Sequence, residues 1–188
     1  QRKKIENLIQ NDRQRLEGIL KGTNAGTWEW NVQTGETIFN ERWAEMIGYS
    51  LDEISPVSLK TWEKFAHPDD LKISNELLEK HFNGELDYYD FECRMKHKNG
   101  DWIWVNDKGK VITWTEDGKP LKMFGTHIDI TDRKKFEELL RDREQRLNSI
   151  IKSAPVGIGL VENRVLKEVN NTIVQMTGYS KDELLGKS

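Results

Sequence analysis

Phe91-Glu92-Cys93-Arg94-Met95-Lys96-His97-Lys98-Asn99-Gly100-Asp101-Trp102-Ile103-Trp104-Val105 holds two strands and the turn between them. Over residues 87–97 the chain alternates. Tyr89, Phe91, Cys93 and Met95 share one face and Glu92, Arg94 and Lys96 the other, which is the period of a strand. Asn99-Gly100 is the strongest short-range hairpin signal, because both residues accept the positive φ that a tight turn needs. The pattern predicts a strand over 101–106, a turn at Lys108-Gly109, a strand over 110–115, a turn at Asp117-Gly118 and a last strand over 121–130. Trp102 and Trp104 fall on one face of their strand, Ile103 and Val105 on the other. Both faces are thus apolar, so the outer one is expected to be covered by another element, such as a connecting helix.

Upstream, short strands are predicted over 27–31 and 36–39, with Gly35 at the turn. Asn40 is a good N-cap for a helix carrying Trp43, Met46 and Ile47, which Gly48 ends. Helical turns follow over 51–54 and 58–65. His67-Pro68-Asp69-Asp70 then opens a longer helix, with proline in its first turn and two carboxylates at the positive end of its dipole. Leu71, Leu77, Leu78 and Phe82 are its apolar positions, and Gly84 stops it. Two strands, a helical middle and long antiparallel strands make an α+β fold, a sheet with helices on one face.

This pattern is bracketed by two helices, 1–21 and 132–152. Ile5, Ile9, Asp12, Leu16 and Ile19 form a narrow stripe in the first; Phe136, Leu140, Arg143, Leu147 and Ile150 form one in the second. Alternating spacings of three and four are those of a coiled-coil seam. The expected partner is a second copy of the chain, a parallel homodimer with like charges facing at Asp12 and at Arg143. The two helices also repeat each other. Leu16 recurs as Leu147, 131 positions on, with Arg2-Lys3-Lys4 recurring as Arg133-Lys134-Lys135. One residue short of that offset, Met46-Ile47-Gly48-Tyr49-Ser50 recurs as Met176-Thr177-Gly178-Tyr179-Ser180. So long a period means a tandem array of domains. The expected organisation is a connecting helix (1–21), a complete domain (22–131), a second connecting helix (132–152) and the opening part of another domain (153–188), the whole being a piece of a longer modular protein.

The net charge of −3 is small, which disfavours nucleic acid and acidic membrane surfaces as partners. A single cysteine, Cys93, excludes an internal disulfide framework and a thiolate metal cluster, and it suits a reducing, cytoplasmic compartment. No apolar run reaches the roughly 18 residues of a membrane span. The parent could still be anchored upstream. No nucleophile–base pair or phosphate loop stands out, so catalysis is not expected of these residues.

The residues resemble the PAS superfamily of sensory domains, in the branch that carries a PAC motif. The resemblance rests on Trp28-Glu29-Trp30, then Asn40, Trp43, Met46, Gly48-Tyr49-Ser50 and Glu53, then Trp62 and His67-Pro68-Asp69-Asp70. It continues with Phe91-Glu92-Cys93-Arg94-Met95, Gly100, Trp102, Trp104-Val105, Gly109, Asp117-Gly118-Lys119-Pro120 and Gly125, and closes with Asp129-Ile130-Thr131-Asp132-Arg133-Lys134-Lys135. Ala154-Pro155-Val156-Gly157-Ile158, Asn170, Met176 and Gly178-Tyr179-Ser180 resemble the opening half of another PAS domain. The resemblance implies a five-stranded antiparallel sheet of order 2-1-5-4-3 cupped around a hollow. It also implies a sensory and relay role in a multi-PAS protein, of the sensor histidine kinase type. A ligand-free dimerisation module, or the sensor of a cyclic-di-GMP synthase or hydrolase, is the alternative. Neighbouring PAS and output domains are the further partners it implies, and Asp129, Ile130 and Thr131 the relay residues, Thr131 as helix cap.

For the hollow, the residues brought forward are Trp28, Trp43, Met46, Phe91, Cys93 and Trp104. Tryptophan rings could stack a planar ligand, or could fill the core and leave little room. The blue-light branch of the family places a reactive cysteine in an Asn-Cys-Arg-Phe-Leu-Gln motif, which is absent, so Cys93 reads as a small buried hydrophobe. His81, near the end of the long helix, is where a haem ligand would sit, but its polar neighbours suggest that it faces water. His67 belongs to the helix-starting turn and His97 to the hairpin, and His127 faces either the hollow or solvent. No histidine pair has metal-ligand spacing. Neither haem nor flavin is expected.

Overall fold

The computed structural model describes residues 2–187 and divides into two compact units, 1–132 and 133–188. The first unit begins with helix α1 (Arg2–Thr23), which buries no residue. Strands β1 (Gly26–Asn31) and β2 (Thr37–Phe39) follow, then four helices: α2 (Glu41–Met46), α3 (Leu51–Ile54), α4 (Leu59–Phe65) and α5 (Pro68–Phe82). β3 (Tyr89–Lys96), β4 (Trp102–Trp114) and β5 (Pro120–Asp129) complete an antiparallel sheet of order β2-β1-β5-β4-β3. That is the five-stranded α+β architecture which the resemblance implied.

Most predicted punctuation is found where the residues demand it. Asn40 accepts from Trp43 N, and its carboxamide also clamps β1 by accepting from Thr27 N (2.9 Å). His67 Nδ1 accepts from Asp69 N to open α5. The Asn99-Gly100 turn joins β3 to β4, Gly100 having φ +96°.

One predicted turn does not exist. Lys108-Gly109 lies inside β4, a single strand of 13 residues, where Gly109 pairs with Tyr89 on one side and Gly125 on the other. Gly109 serves close approach instead. A Cβ there would sit 2.3 Å from Trp28 Cη2, and one on Gly125 would sit 2.2 Å from Trp28 Cζ2. The paired glycines form a flat platform on which the Trp28 indole lies.

The core fills the space between the sheet's inner face and the helices, around Phe39, Trp43, Ile47, Tyr89, Cys93, Met95, Val105 and Met123. The edge strand β3 is also protected. Ala66 bridges Met95, His67 N donates to Arg94 O (2.9 Å), and Asp70 Oδ2 accepts from Arg94 N (2.8 Å). An edge strand covered in this way has few free polar groups to recruit another strand. On the outer face Trp102, Phe124 and Ile128 are exposed, and α1, which buries no residue, does not supply the expected covering.

Helix α6 (Thr131–Ser153) likewise buries no residue. In the second unit, β6 (Gly159–Glu162) pairs with β7 (Val165–Val169), followed by α7 (Asn171–Thr177) and α8 (Lys181–Leu184). The repeat in sequence is a repeat in structure. Asn170 caps α7 and accepts from Ile158 N, as Asn40 does for α2 and β1. Ser180 and Glu183 form the same capping box as Ser50 and Glu53. Among the described residues no helix is long and apolar enough to cross a membrane.

Candidate functional site

Between β1, β2, β4, β5 and the helices α4 and α5 lies a hollow of about 80 Å³. Trp28, Trp30, Phe39, Trp62 and Leu78 form its apolar wall, and Thr37, Ser74, Tyr89, Asp107 and His127 its polar one. Its exposed lining residues, Glu63 and Asn75, place the mouth between α4 and α5.

The polar wall is a built cluster. Asp107 and His127 are opposite residues of β4 and β5, 4% and 1% exposed. Asp107 Oδ1 accepts from Trp28 Nε1 (2.8 Å) and lies 3.0 Å from His127 Nε2, off the line of a hydrogen bond. The glycine platform sets the indole at the depth where its N–H meets the carboxylate. Tyr89 Oη and Ser74 Oγ bond each other at 2.9 Å, and burial, reinforced by the Asp107 charge, pushes the phenol pKa far up. Three lining residues keep buried nitrogens with no hydrogen-bond partner among the described residues: Trp30 Nε1, Trp62 Nε1 and the ring nitrogens of His127. Trp43 Nε1 is also unpartnered, but Trp43 is not in the lining.

Of the six residues brought forward from sequence, only Trp28 lines the hollow. Trp43 is fully buried, stacked on Phe39 at 3.9 Å between ring centres. Met46 and Cys93 are core, and burial raises the thiol pKa, which makes Cys93 unreactive. Phe91 packs against the core from outside the lining. Trp104 stands on the opposite face of the sheet, with the Arg94 guanidinium 5.6 Å from its ring centre. Asp107 was missed because it falls between the predicted strand over 101–106 and the predicted turn at Lys108-Gly109. Alternation from Val105 would have turned it inward, where an aspartate is rarely found. His127 takes the inward option.

His81 does not face water. It is 5% exposed, its Nδ1 meeting Leu86 O (2.8 Å) and its Nε2 accepting from Val111 N (3.0 Å). β3 begins at Tyr89, opposite Gly109, and offers no strand partner beyond it, so the imidazole supplies the acceptor that Val111 lacks. With both nitrogens engaged, His81 does not fit a haem. A hollow roughly half the size of one that admits benzene also has no room for a macrocycle or an isoalloxazine. Among the described residues no three histidine, cysteine, aspartate or glutamate side chains converge as a metal site.

At the far end of β5 the strand hands over to α6. Thr131 N donates to Asp129 Oδ1 (2.8 Å), and Ile130 N to Trp104 O (2.9 Å). Thr131 Oγ1 accepts from Trp104 N (3.0 Å). The threonine is the first residue of α6 and its hydroxyl ties the helix to β4; it does not cap the helix as the sequence suggested. The seam residues Ile5, Ile9, Leu16, Phe136, Leu140 and Leu147 are all more than half exposed, and Asp12 and Arg143 are exposed with them.

A profile of the PAS fold matches residues 36–127, and one of the PAS domain matches residues 155–188. A solved sensory box histidine kinase/response regulator from Burkholderia thailandensis E264 is 30% identical and superposes with a TM-score of 0.63, over 72% of this chain and 98% of that one. The hybrid signal transduction histidine kinase A of Dictyostelium discoideum is 30% identical over 68% of this chain. The "Probable diguanylate cyclase DgcE" of Escherichia coli (strain K12) is 27% identical over 74% of it. This chain spans only 6% and 11% of those two relatives.

Proposed function

The chain belongs to the PAS family of sensory domains, and from that premise we propose that it senses at its hollow and relays through α6 within a larger signalling protein of the sensor histidine kinase type. The carrying observation is the junction at Trp104 and Thr131. The polar wall of the hollow sits on β4 and β5, at Asp107 and His127. Two residues further along β5, Asp129 holds the first amide of α6, while β4 grips the Thr131 hydroxyl through Trp104. A change of register or tilt at the Asp107–His127 pair is therefore passed to the start of a 23-residue helix. Catalysis would belong to a separate output domain. A histidine kinase is favoured by the Burkholderia and Dictyostelium relatives. The Escherichia coli relative favours a cyclic-di-GMP enzyme as second reading. A ligand-free relay is disfavoured by the unpartnered donors in the hollow's wall.

Thr131→Ala tests the junction. It leaves the Trp104 amide without its hydroxyl acceptor, and is expected to cost about 1 kcal/mol and to speed amide exchange in the first turn of α6. Denaturant unfolding and exchange on the same variant measure both. Unchanged exchange over 131–135 would remove Thr131 from the relay.

The partner in this reading is a second copy of the chain, joined along the exposed stripes of α1 and α6. Parallel pairing sets Arg143 against Arg143, and like charges at a seam layer repel and lose hydration. Arg143→Leu is expected to tighten association by about an order of magnitude, as read by sedimentation equilibrium. No gain would argue against the seam.

A further inference from the structure

We infer that the hollow takes a small, neutral, oxygen-bearing molecule: a ketone, aldehyde, amide or alcohol of roughly three or four non-hydrogen atoms. This rests on reading the hollow as the sensory site, and it names the chemistry sensed there. Size comes from the volume of about 80 Å³. A cavity of about 150 Å³ holds benzene, with its six carbons.

Polarity comes from the wall. Trp30 and Trp62 line the hollow, and each has a buried indole N–H with no partner among the described residues. An indole nitrogen can only donate. His127, 1% exposed, carries a proton on at least one ring nitrogen in every protonation state, and neither nitrogen is hydrogen-bonded. Unpaired buried donors are costly, and native interiors supply them with an acceptor. The wall is therefore short of acceptors on its occupant's side, and a carbonyl or hydroxyl oxygen fills that need. Around it Trp28, Trp30, Phe39 and Trp62 present ring surface that suits methyl groups.

Charge is excluded on both sides. No lysine or arginine lines the hollow, and Asp107 stands in its wall, so an anion would be buried beside a carboxylate with no full counter-charge beyond His127. An ammonium could meet Asp107, but it brings only donors and would leave the indole N–H groups of Trp30 and Trp62 without an acceptor.

Three probes of one size and shape separate these cases: acetone, acetate and isopropylammonium, each of four non-hydrogen atoms. The full 188-residue chain, labelled with nitrogen-15, gives an indole signal for each of its seven tryptophans. Acetone is expected to shift the Trp30 and Trp62 signals saturably, with a Kd no tighter than tens of micromolar, about the ceiling for so few atoms. The exposed Trp102 and Trp114 serve as controls and should not move. Trp62→Phe keeps a ring and removes its N–H, and should weaken acetone binding by about 3- to 10-fold. Acetate and isopropylammonium should not saturate. The inference falls if acetone gives no saturable shift, meaning that water alone serves the donors. It falls also if either ion binds better than acetone, or if Trp62→Phe binds acetone unchanged. The titration reads the hollow alone. Saturable acetone binding with no response in α6 would sink the relay and leave the ligand assignment standing; intact coupling without acetone binding would do the reverse.

Discussion

Gly125→Ala is expected to cost about 4 kcal/mol, a large loss for one methyl group. The added Cβ would lie 2.2 Å from Trp28 Cζ2 and 2.4 Å from the carbonyl oxygen of Lys108. The carbonyl is backbone of a central strand and has no room to yield. The indole is 8% exposed, and swinging it away breaks the 2.8 Å bond to Asp107. Overpacking of a tight core costs about 1–3 kcal/mol, and a buried carboxylate stripped of a donor adds about 1–3 more. The seven tryptophans all fall between residues 28 and 114, so their fluorescence in a urea titration reports the first unit alone. A loss under about 1 kcal/mol would show that Trp28 does not depend on the glycine platform.

Asp70→Ala is the second large effect. The Asp70 carboxylate, 5% exposed, holds the edge strand by accepting from Arg94 N (2.8 Å), Nε (3.0 Å) and Nη2 (2.6 Å). Breaking a buried pair costs about 3–5 kcal/mol, but the Arg94 side chain is 30% exposed and can turn to water. A loss of about 2–3 kcal/mol is therefore expected. The effect has a pH signature. Burial pushes the Asp70 pKa up, but the Arg94 hydrogen bonds outweigh it and hold the group below the ordinary carboxylate range. Its contribution is thus present above the unfolded aspartate pKa, and lost as pH falls below about 4 and through the folded value. In Asp70→Ala the acid limb of the stability curve should be shallower. Asp90 and Asp117, also held low by lysine partners, keep it from vanishing. An acid limb identical to that of the parent chain would remove Asp70 from this role.

The sheet was legible in sequence because its face alternation, the Asn99-Gly100 turn and the helix caps at Asn40 and His67 are local signals. What could not be read there depends on contacts between distant residues. Gly109 carries the local mark of a turn, and only the ring of Trp28, 81 positions upstream, explains why a glycine sits in mid-strand. His81 has polar neighbours in sequence, yet it turns inward to serve an amide that the sheet leaves unpaired. The hollow was sought among the most apolar residues, and those became its packed surroundings. Trp43 and Cys93 fill the core, whereas the cavity forms where polar Asp107, His127 and Ser74 interrupt the packing.

The central claim is that the hollow and the start of α6 are coupled through β4 and β5. Gly125→Ala and His81→Ala offer a pair, one disturbing the Trp28–Asp107 contact in the hollow's wall and the other the His81–Val111 contact, at the end of β4 away from Trp104. Amide exchange over 131–135, scaled to each variant's loss of global stability, is the direct test. Faster exchange in Gly125→Ala than in His81→Ala is expected. Equal exchange in the two, once scaled, would contradict the coupling.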